Sequence, residues 1–231
     1  MTIPASVTEI GKGAFSDCRH LRRVTFAAGS QLKTIGEQSF SSCGVEEIVI
    51  PRSVTRIGGH AFSGCQELMQ VSFQEGSLLE GIGNRCFSAS GLEKFQAPAR
   101  LRKIGNEAFA GYKDLKRVAL NEGLERLVVE RQCDKNGAYA KCDGIFGGSG
   151  LEEIALPGTL REIRGLVFSN CHCLATILVG KGCTADVRRS VGHSVKILSE
   201  KQLRTGKGFN WDLPRLREVV VPDGIARIGE R

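Results

Sequence analysis

The residues best suited to chemistry in this 231-residue chain are its nine cysteines, together with four histidines. Four of these side chains could be written as a four-ligand zinc set: Cys171, Cys173, Cys183 and His193. Closed zinc sites use tight ligand pairs separated by about two to four residues, and this spacing does not match them. The sequence therefore predicts no metal and no cofactor.

The other reactive side chains form no catalytic motif. No glycine-rich phosphate loop follows a strand in the required way, and no serine or cysteine lies in a nucleophile motif. The histidines fall at turn or exposed positions of unrelated segments: His20, His60, His172 and His193. The carboxylates are spread along the chain, each with a basic neighbour. We therefore predict that the protein is not an enzyme.

The elements that carry these residues are repeats, best seen in residues 45–65, VEEIVIPRSVTRIGGHAFSGC. Ile48 and Ile50 lie two residues apart, which suits a short strand, and Pro51 cannot donate to a continuing ladder. Gly58 allows a backbone turn that a Cβ would hinder. The unit has one hydrophobic edge and too little mass to bury it, so it must stack on copies of itself.

The copies recur along most of the chain with a period of 22 or 25 residues. Phenylalanines lie at positions 15, 40, 62, 87, 109, 146 and 168, and Ile-Gly pairs begin at 10, 35, 57, 82, 104 and 228. Strand cores recur from Val24 and Phe26 onwards, including Ile177 with Val179, Val195 with Ile197, and Val219 with Val221. A period in this range predicts a solenoid with about nine parallel strands along one face.

The pattern L-x-x-V-x-F/I, P-x-S-V-x-x-I-G-x-x-A-F-x-x-C resembles that of the BspA-like leucine-rich repeats, found widely in surface proteins of bacteria and parasitic protists. Residues 1–127 and 143–179 fit it well, 216–231 fit its first half, and 180–215 fit poorly. The resemblance implies an α/β, right-handed solenoid with short parallel strands on the concave face and turns or short helices on the convex face. It also implies an adhesion or interaction role, but no particular ligand.

We expect one array over 1–231, with an insertion near 128–142 and an irregular repeat at 180–215. Both ends lie inside a repeat without a polar cap, so we interpret the chain as a fragment of a longer array that could associate end to end. The N-terminus lacks the pattern of a signal peptide. No apolar run reaches about eighteen residues, which predicts no membrane insertion.

Four cysteines occupy one position of the repeat, three residues after the phenylalanine: Cys18, Cys43, Cys65 and Cys171. A small apolar side chain fits there, and we favour reduced, buried thiols. Stacked copies could also lie within disulfide distance. Cys133 and Cys142 flank the insertion and could form a disulfide if the protein is extracellular.

Outward-facing residues of the strands alternate in charge between neighbouring repeats. Arg22-Arg23 faces Glu46-Glu47, and Lys116-Arg117 faces Glu152-Glu153. The formal net charge is +7 and the pI about 9.0. A groove that binds nucleic acid needs one sign of charge along its length, whereas these basic residues are answered by local acids. Binding to nucleic acid is therefore the least favoured function.

The next outward column becomes small and apolar towards the C-terminal half: Thr25, Val49, Ser72, Gln96, Ala119, Ala155, Leu178, Lys196 and Val220. An exposed apolar strip rimmed by charge is typical of a protein-binding site, although ordinary β-propensity explains it equally well. The candidate protein-binding residues are Lys116, Arg117, Ala119, Glu153, Ala155, Leu178 and, in the insertion, Tyr139.

The predicted function is a non-enzymatic protein-interaction module, serving adhesion or recognition at a microbial cell surface. Its partner would be a protein or a host-surface ligand. A surface location rests on the family resemblance alone. The alternative is an intracellular leucine-rich-repeat scaffold that uses the same faces.

Overall fold

Each repeat forms one coil of a solenoid in the computed structural model, which describes residues 1–111, 113–130, 143–191 and 194–199. We number coils 1 to 7 by their phenylalanines: Phe15, Phe40, Phe62, Phe87, Phe109, Phe146 and Phe168. Each of these coils contributes two short strands, and equivalent strands pair in parallel. The protein is thus a parallel-strand solenoid of stacked coils, held by contacts between equivalent positions.

The first ladder contains the predicted strands, with all strands numbered in chain order. Its members are β1 (Thr2–Ile3), β3 (Thr25–Phe26), β5 (Glu47–Ile50), β7 (Gln70–Phe73), β9 (Lys94–Gln96), β11 (Arg117–Ala119), β13 (Glu153–Leu156), β15 (Thr176–Val179) and β16 (Lys196–Ser199). They form three sheets, β1-β3, β5-β7 and β9-β11-β13-β15-β16. The strand predicted around Val219 lies outside the described residues.

A second ladder runs along the Ile-Gly column, where the sequence indicated only a turn. Its strands are β2 (Glu9–Ile10), β4 (Thr34–Ile35), β6 (Arg56–Ile57), β8 (Gly81–Ile82), β10 (Lys103–Ile104), β12 (Arg126–Val128) and β14 (Glu162–Arg164). The first five form one sheet, and β12 pairs with β14. Because most of these strands have two residues, they show no alternating pattern from which a strand could be predicted.

The third side of each coil is a turn that carries the phenylalanine. Successive rings of the seven-member stack have centroids 5.1, 5.3, 5.4, 5.6, 5.5 and 5.7 Å apart. Backbone bonds join the turns too: Phe40 N donates to Ala61 O at 2.8 Å, and Phe62 N to Cys86 O at 2.8 Å. The side that the resemblance assigned to turns or short helices therefore consists of turns in these coils.

Glycines of the Ile-Gly column are required by the close approach of neighbouring coils. A Cβ on Gly58 would lie 2.6 Å from Glu37 N, and one on Gly83 would lie 2.4 Å from Gly59 N. Neither glycine has a positive φ. Gly58 lies where the chain leaves β6 for the turn that carries Phe62, as predicted, but it must be glycine because a side chain there would collide with the backbone of the preceding coil.

The irregular repeat continues the first ladder within its described part. A 3₁₀ helix at Arg188–Ser190, the only helix among the described residues, precedes β16. Ile197 pairs with Ile177, and Ser199 pairs with Val179. The sequence analysis had matched Val195 and Ile197 to that pair, which was wrong by two residues. A shift of two preserves the face of every side chain, so alternation alone could not fix the register.

The insertion lies between two described segments of coil 6. Val128, placed at its start by the sequence analysis, belongs to β12 and pairs with Arg164. Regular structure therefore continues through the second ladder before the insertion. Residues 131–142, including Tyr139, Cys133 and Cys142, lie outside the described residues.

Candidate protein-binding face

The strand face consists of the first-ladder side chains that point away from the core. In β5, Ile48 and Ile50 are buried, while Glu47 and Val49 between them are exposed. β5 and β7 pair so that Val49 lies beside Ser72. Val49 is 51 % exposed, and Met69, just before β7, is 58 % exposed. Two large apolar side chains therefore lie in water on neighbouring coils.

Charged side chains beside these residues are paired between coils. Arg22 Nη1 lies 3.8 Å from Glu46 Oε1, and Arg23 Nη2 lies 3.1 Å from Glu47 Oε1. The predicted alternation of charge on the strand face is thus confirmed here. Exposed pairs contribute little to stability, about 0–1 kcal/mol each, but they cancel the local charge. The face offers neutral polar and apolar groups, with its ions already matched.

A shallow groove follows this part of the strand face across β3, β5 and β7. Its outward-facing wall residues include Arg23, Thr25, Glu47, Val49, Gln70, Ser72 and Gln74. The hydroxyl and amide groups among them can donate and accept hydrogen bonds. Val49 supplies apolar contact area between them. This combination suits the surface of another protein, which presents backbone amides as well as apolar side chains.

The comparisons with known proteins identify the repeat. The family model of the BspA type leucine-rich repeat region matches six copies, over residues 1–116 and 140–188. The chain belongs to this family. The resemblance to BspA-like leucine-rich repeats, inferred from the repeat pattern, is thus confirmed. Among the curated proteins, none matches the chain.

Solved structures similar to this BspA-type array are bacterial leucine-rich repeat proteins. One from Bacteroides ovatus is 25 % identical with a TM-score of 0.51, and the match covers 87 % of this chain and 57 % of that one. The pneumococcal vaccine antigen PcpA is 19 % identical with a TM-score of 0.46, and the match covers 86 % and 73 %. The array thus spans little more than half of the Bacteroides ovatus protein. The family supports a protein-interaction repeat module.

The residues predicted as a binding site lie farther along the strand face. The register places Arg117 beside Glu153, and Ala119 beside Ala155. Lys116 Nζ lies 3.4 Å from Glu152 Oε1. Lys116, Arg117 and Ala119 are half-buried. The structure thus brings the predicted residues of coils 6 and 7 together, as the repeat pattern indicated.

The predicted exposure of the apolar column is wrong for two of its members. Ala155 is 8 % exposed and Leu178 is 2 % exposed. All four residues of β13, Glu153 included, are buried, so both faces of this strand are covered. Alternation tells which face a side chain points to, but it does not tell whether that face is covered. In the same column, Leu198 pairs with Leu178, where Lys196 was predicted.

The shared cysteine position is a core position of the BspA-type coil. Cys43 and Cys65 are buried, and Cys18 and Cys171 are half-buried. Cys65 Sγ lies 2.9 Å from Phe40 O, and Cys171 Sγ lies 3.0 Å from Phe146 O, so each thiol can donate to the preceding coil. The sulfur therefore fills the core, and the thiol hydrogen also has a partner.

Burial makes the thiols of Cys43, Cys65, Cys86 and Cys171 poor nucleophiles. Burial raises the pKa of Cys43 to about 11 and that of Cys65 to about 12. Burial likewise raises the pKa of Cys171 to about 11, and the pKa of the fully buried Cys86 is also raised. Only the thiolate attacks or binds metal, so these side chains stay neutral and inert near neutral pH.

The described residues contain no cluster of three or more side chains that could hold a metal ion. His193, one member of the possible zinc set, lies outside the described residues. Within the described part of the chain, no helix is long and apolar enough to cross a membrane.

Sequence reasoning noted Val49 and Met69 but did not select them as binding residues. The signal was present, since Met69-Gln70 is the first uncharged pair in the outward-facing column of pairs. The equivalent residue pairs of the two preceding repeats are Arg22-Arg23 and Glu46-Glu47, whose charges neutralise each other. A neutral pair beside a matched set of charges therefore marks the part of the strand face best suited to a partner.

Proposed function

We propose that this BspA-type array is a non-enzymatic module for adhesion or recognition at a microbial cell surface, and that it binds its protein partner with the strand face of coils 2 to 4. The observation that carries the proposal is the exposure of Val49 and Met69, at 51 % and 58 %. The charged side chains beside them, Arg22 with Glu46 and Arg23 with Glu47, are already paired with each other. Exposed apolar side chains with a polar rim are the usual anatomy of a protein-binding patch.

The test is adhesion of beads coated with the chain to animal-cell monolayers and to a panel of purified extracellular-matrix proteins. The double variant Val49→Asp with Met69→Asp should lose at least about tenfold in bound beads, because it places two charges where the partner buries apolar atoms. Leu166→Asp is the matched control, since Leu166 is 66 % exposed and lies away from the strand face. Equal loss in both variants, or no adhesion by the unaltered chain, would contradict the proposal.

The second candidate surface is the predicted site around coils 6 and 7. Its partly accessible members are Lys116, Arg117 and Ala119, with Tyr139 of the insertion added by the sequence analysis. Ala119→Asp tests it in the same assay. Loss of adhesion in this variant, with Val49→Asp unaffected, would move the binding surface to these coils.

The alternative function is an intracellular scaffold, and the redox state of the cysteines distinguishes it from a surface role. Nine titratable thiols, counted without reductant after unfolding the protein from its native host, would favour the scaffold. A protected pair, above all Cys133 with Cys142, would favour the exported protein. The right-handed sense of the coil and end-to-end self-association stay predictions. Sedimentation over a range of concentrations checks the latter.

A further inference from the structure

A recess on one edge of the solenoid adjoins the strand-face groove, with which it shares Gln74. Coils 2 and 4 are the long repeats, and their extra residues form loops at 28–31 and 75–78. Coil 3 between them is a short repeat that turns tightly after Pro51. The difference in length leaves a notch over coil 3. Its volume is about 540 Å³, within the range of small-ligand sites.

The notch carries positive charge without a matching acid. Its lining contains two cations and no carboxylate: Thr8, Gly29, Ser30, Gln31, Lys33, Arg52, Ser53, Gln74 and Leu78. In the described part of the chain, neither Lys33 nor Arg52 makes an ion pair. On the strand face, by contrast, Arg22 and Arg23 both have acidic partners in the next coil. This uncompensated positive charge favours an anionic ligand over a neutral or cationic one.

An equivalent turn in coil 7 shows which anion this geometry accepts. After Pro157, the backbone N–H groups of Gly158 and Thr159 donate to the two carboxylate oxygens of Glu122, at 3.1 and 3.2 Å. Glu122 comes from the preceding coil, so one proline turn of this solenoid already binds a carboxylate. Two parallel N–H bonds to a carboxylate are charge-assisted and therefore strong.

The turn of coil 3 is built in the same way but lacks the acid. Val54 N donates to Pro51 O at 3.1 Å, as Leu160 N donates to Pro157 O at 3.2 Å. The Ser53 hydroxyl donates to Leu32 O at 2.8 Å, matching the bond of the Thr159 hydroxyl to the preceding coil.

The donors of this turn are used differently from those of coil 7. Arg52 N donates to Gln74 Oε1 at 3.1 Å. The Ser53 N–H has no hydrogen-bond partner in the described part of the chain. The coil 2 loop, AAGSQ, offers no carboxylate in the place of Glu122.

We propose that the notch over coil 3 binds a side-chain carboxylate of an acidic peptide segment. The Ser53 N–H donates to the carboxylate, as the Thr159 N–H does to Glu122 in coil 7. Lys33 and Arg52 balance its charge, and Leu78 contributes an apolar wall. This site shares Gln74 with the strand-face groove, but it is built from the edge loops and the proline turn and not from Val49 or Met69.

The test measures binding in two ways, as a shift of one amide resonance and as the affinity for a labelled peptide. Sodium glutarate added to the ¹⁵N-labelled chain should shift the Ser53 amide resonance. Fluorescein-labelled hexaglutamate should bind with an affinity that weakens at least about tenfold in the variant Lys33→Gln with Arg52→Gln, since charge-assisted hydrogen bonds are lost. The matched control is Arg100→Gln with Arg102→Gln, which removes the same charge at exposed positions of coil 5.

Three outcomes would overturn the proposal. Equal weakening in the two double variants would mean that net charge alone attracts the peptide. An unshifted Ser53 amide would exclude the turn as the site, even if a variant failed to fold. Displacement of hexaglutamate by inorganic phosphate as readily as by glutarate would show a non-selective anion patch. In the Val49→Asp with Met69→Asp variant, glutarate should still shift the Ser53 amide resonance, so failure here is distinguishable from failure of the strand-face proposal.

Discussion

The strand face differs between the N-terminal and C-terminal coils of one array. In β5 the burial of side chains alternates, with Glu47 and Val49 exposed and Ile48 and Ile50 buried. In β13 all four residues are buried, and in β15 the first three are buried. The backbone register continues from β11 through β16 without a break. The first ladder therefore carries an open face at β5 and a covered face at β13 and β15.

This difference shows that the direction of a side chain and its exposure are separate properties, although a repeat pattern suggests both at once. The direction of a side chain follows from the pleat of its own strand. Its exposure depends on what else lies over the sheet. The open face of β5 and β7 is available for binding, whereas an apolar residue such as Leu178 in β15 contributes to stability.

The largest expected effect is on stability, from replacing core phenylalanines. It tests whether the open and covered regions share one core. Phe62→Ala and Phe146→Ala should each lower the free energy of unfolding by about 3–5 kcal/mol, because each ring is fully buried and stacked between two others. Phe15→Ala should cost less, because Phe15 is half-buried. Denaturant unfolding measures all three. A small effect at Phe146 alone would show that the later coils do not share the stacked core.

The second prediction tests the comparison directly on two residues of one column. Leu178→Ala should lower the free energy of unfolding by about 2–5 kcal/mol, because Leu178 is 2 % exposed. Val49→Ala should change it by less than about 0.5 kcal/mol, because Val49 is 51 % exposed. Thermal or urea unfolding of the two variants decides the matter. Similar losses at both positions would remove the distinction between an open and a covered region.

Much of the fold could be predicted because the solenoid joins equivalent positions of successive repeats. The spacing of Phe40 and Phe62 placed them at equivalent positions of the repeat, where their rings stack, and the alternation of Arg23 and Glu47 led to a cross-coil ion pair. The second ladder was missed, since a two-residue strand such as Arg56–Ile57 has no alternating pattern of its own.

The candidate sites depended on features that a linear pattern does not contain. The burial of Leu178 depends on what covers its strand, which its own repeat does not specify. The unused Ser53 N–H became visible only by comparison with the turn that holds Glu122. Sequence reasoning therefore located the strand face but did not tell which part of it was open.

The third prediction concerns the close spacing between coils 3 and 4 of the open region. Gly83→Ala should destabilise the protein by about 1–3 kcal/mol, because its Cβ would lie 2.4 Å from Gly59 N. Gly81→Ala, two residues earlier in the same coil, is the control. Its Cβ would meet nothing within 4 Å, so it should be neutral or stabilise by about 0.5–1 kcal/mol. Equal destabilisation by both changes would mean that backbone flexibility, rather than contact, selects glycine here.

The smallest expected effect concerns two ion pairs on the strand face. A double-mutant cycle on Arg23→Gln and Glu47→Gln should give a coupling of about 0.2–1 kcal/mol, which should nearly vanish near 1 M salt because both side chains are exposed. The same cycle on Lys116 and Glu152 should retain more of its coupling in salt. Lys116 Nζ lies 3.4 Å from Glu152 Oε1. Lys116 is half-buried, and partly buried charges are screened less. If salt removed both couplings equally, the two regions would share one electrostatic environment, and their difference would be confined to apolar burial.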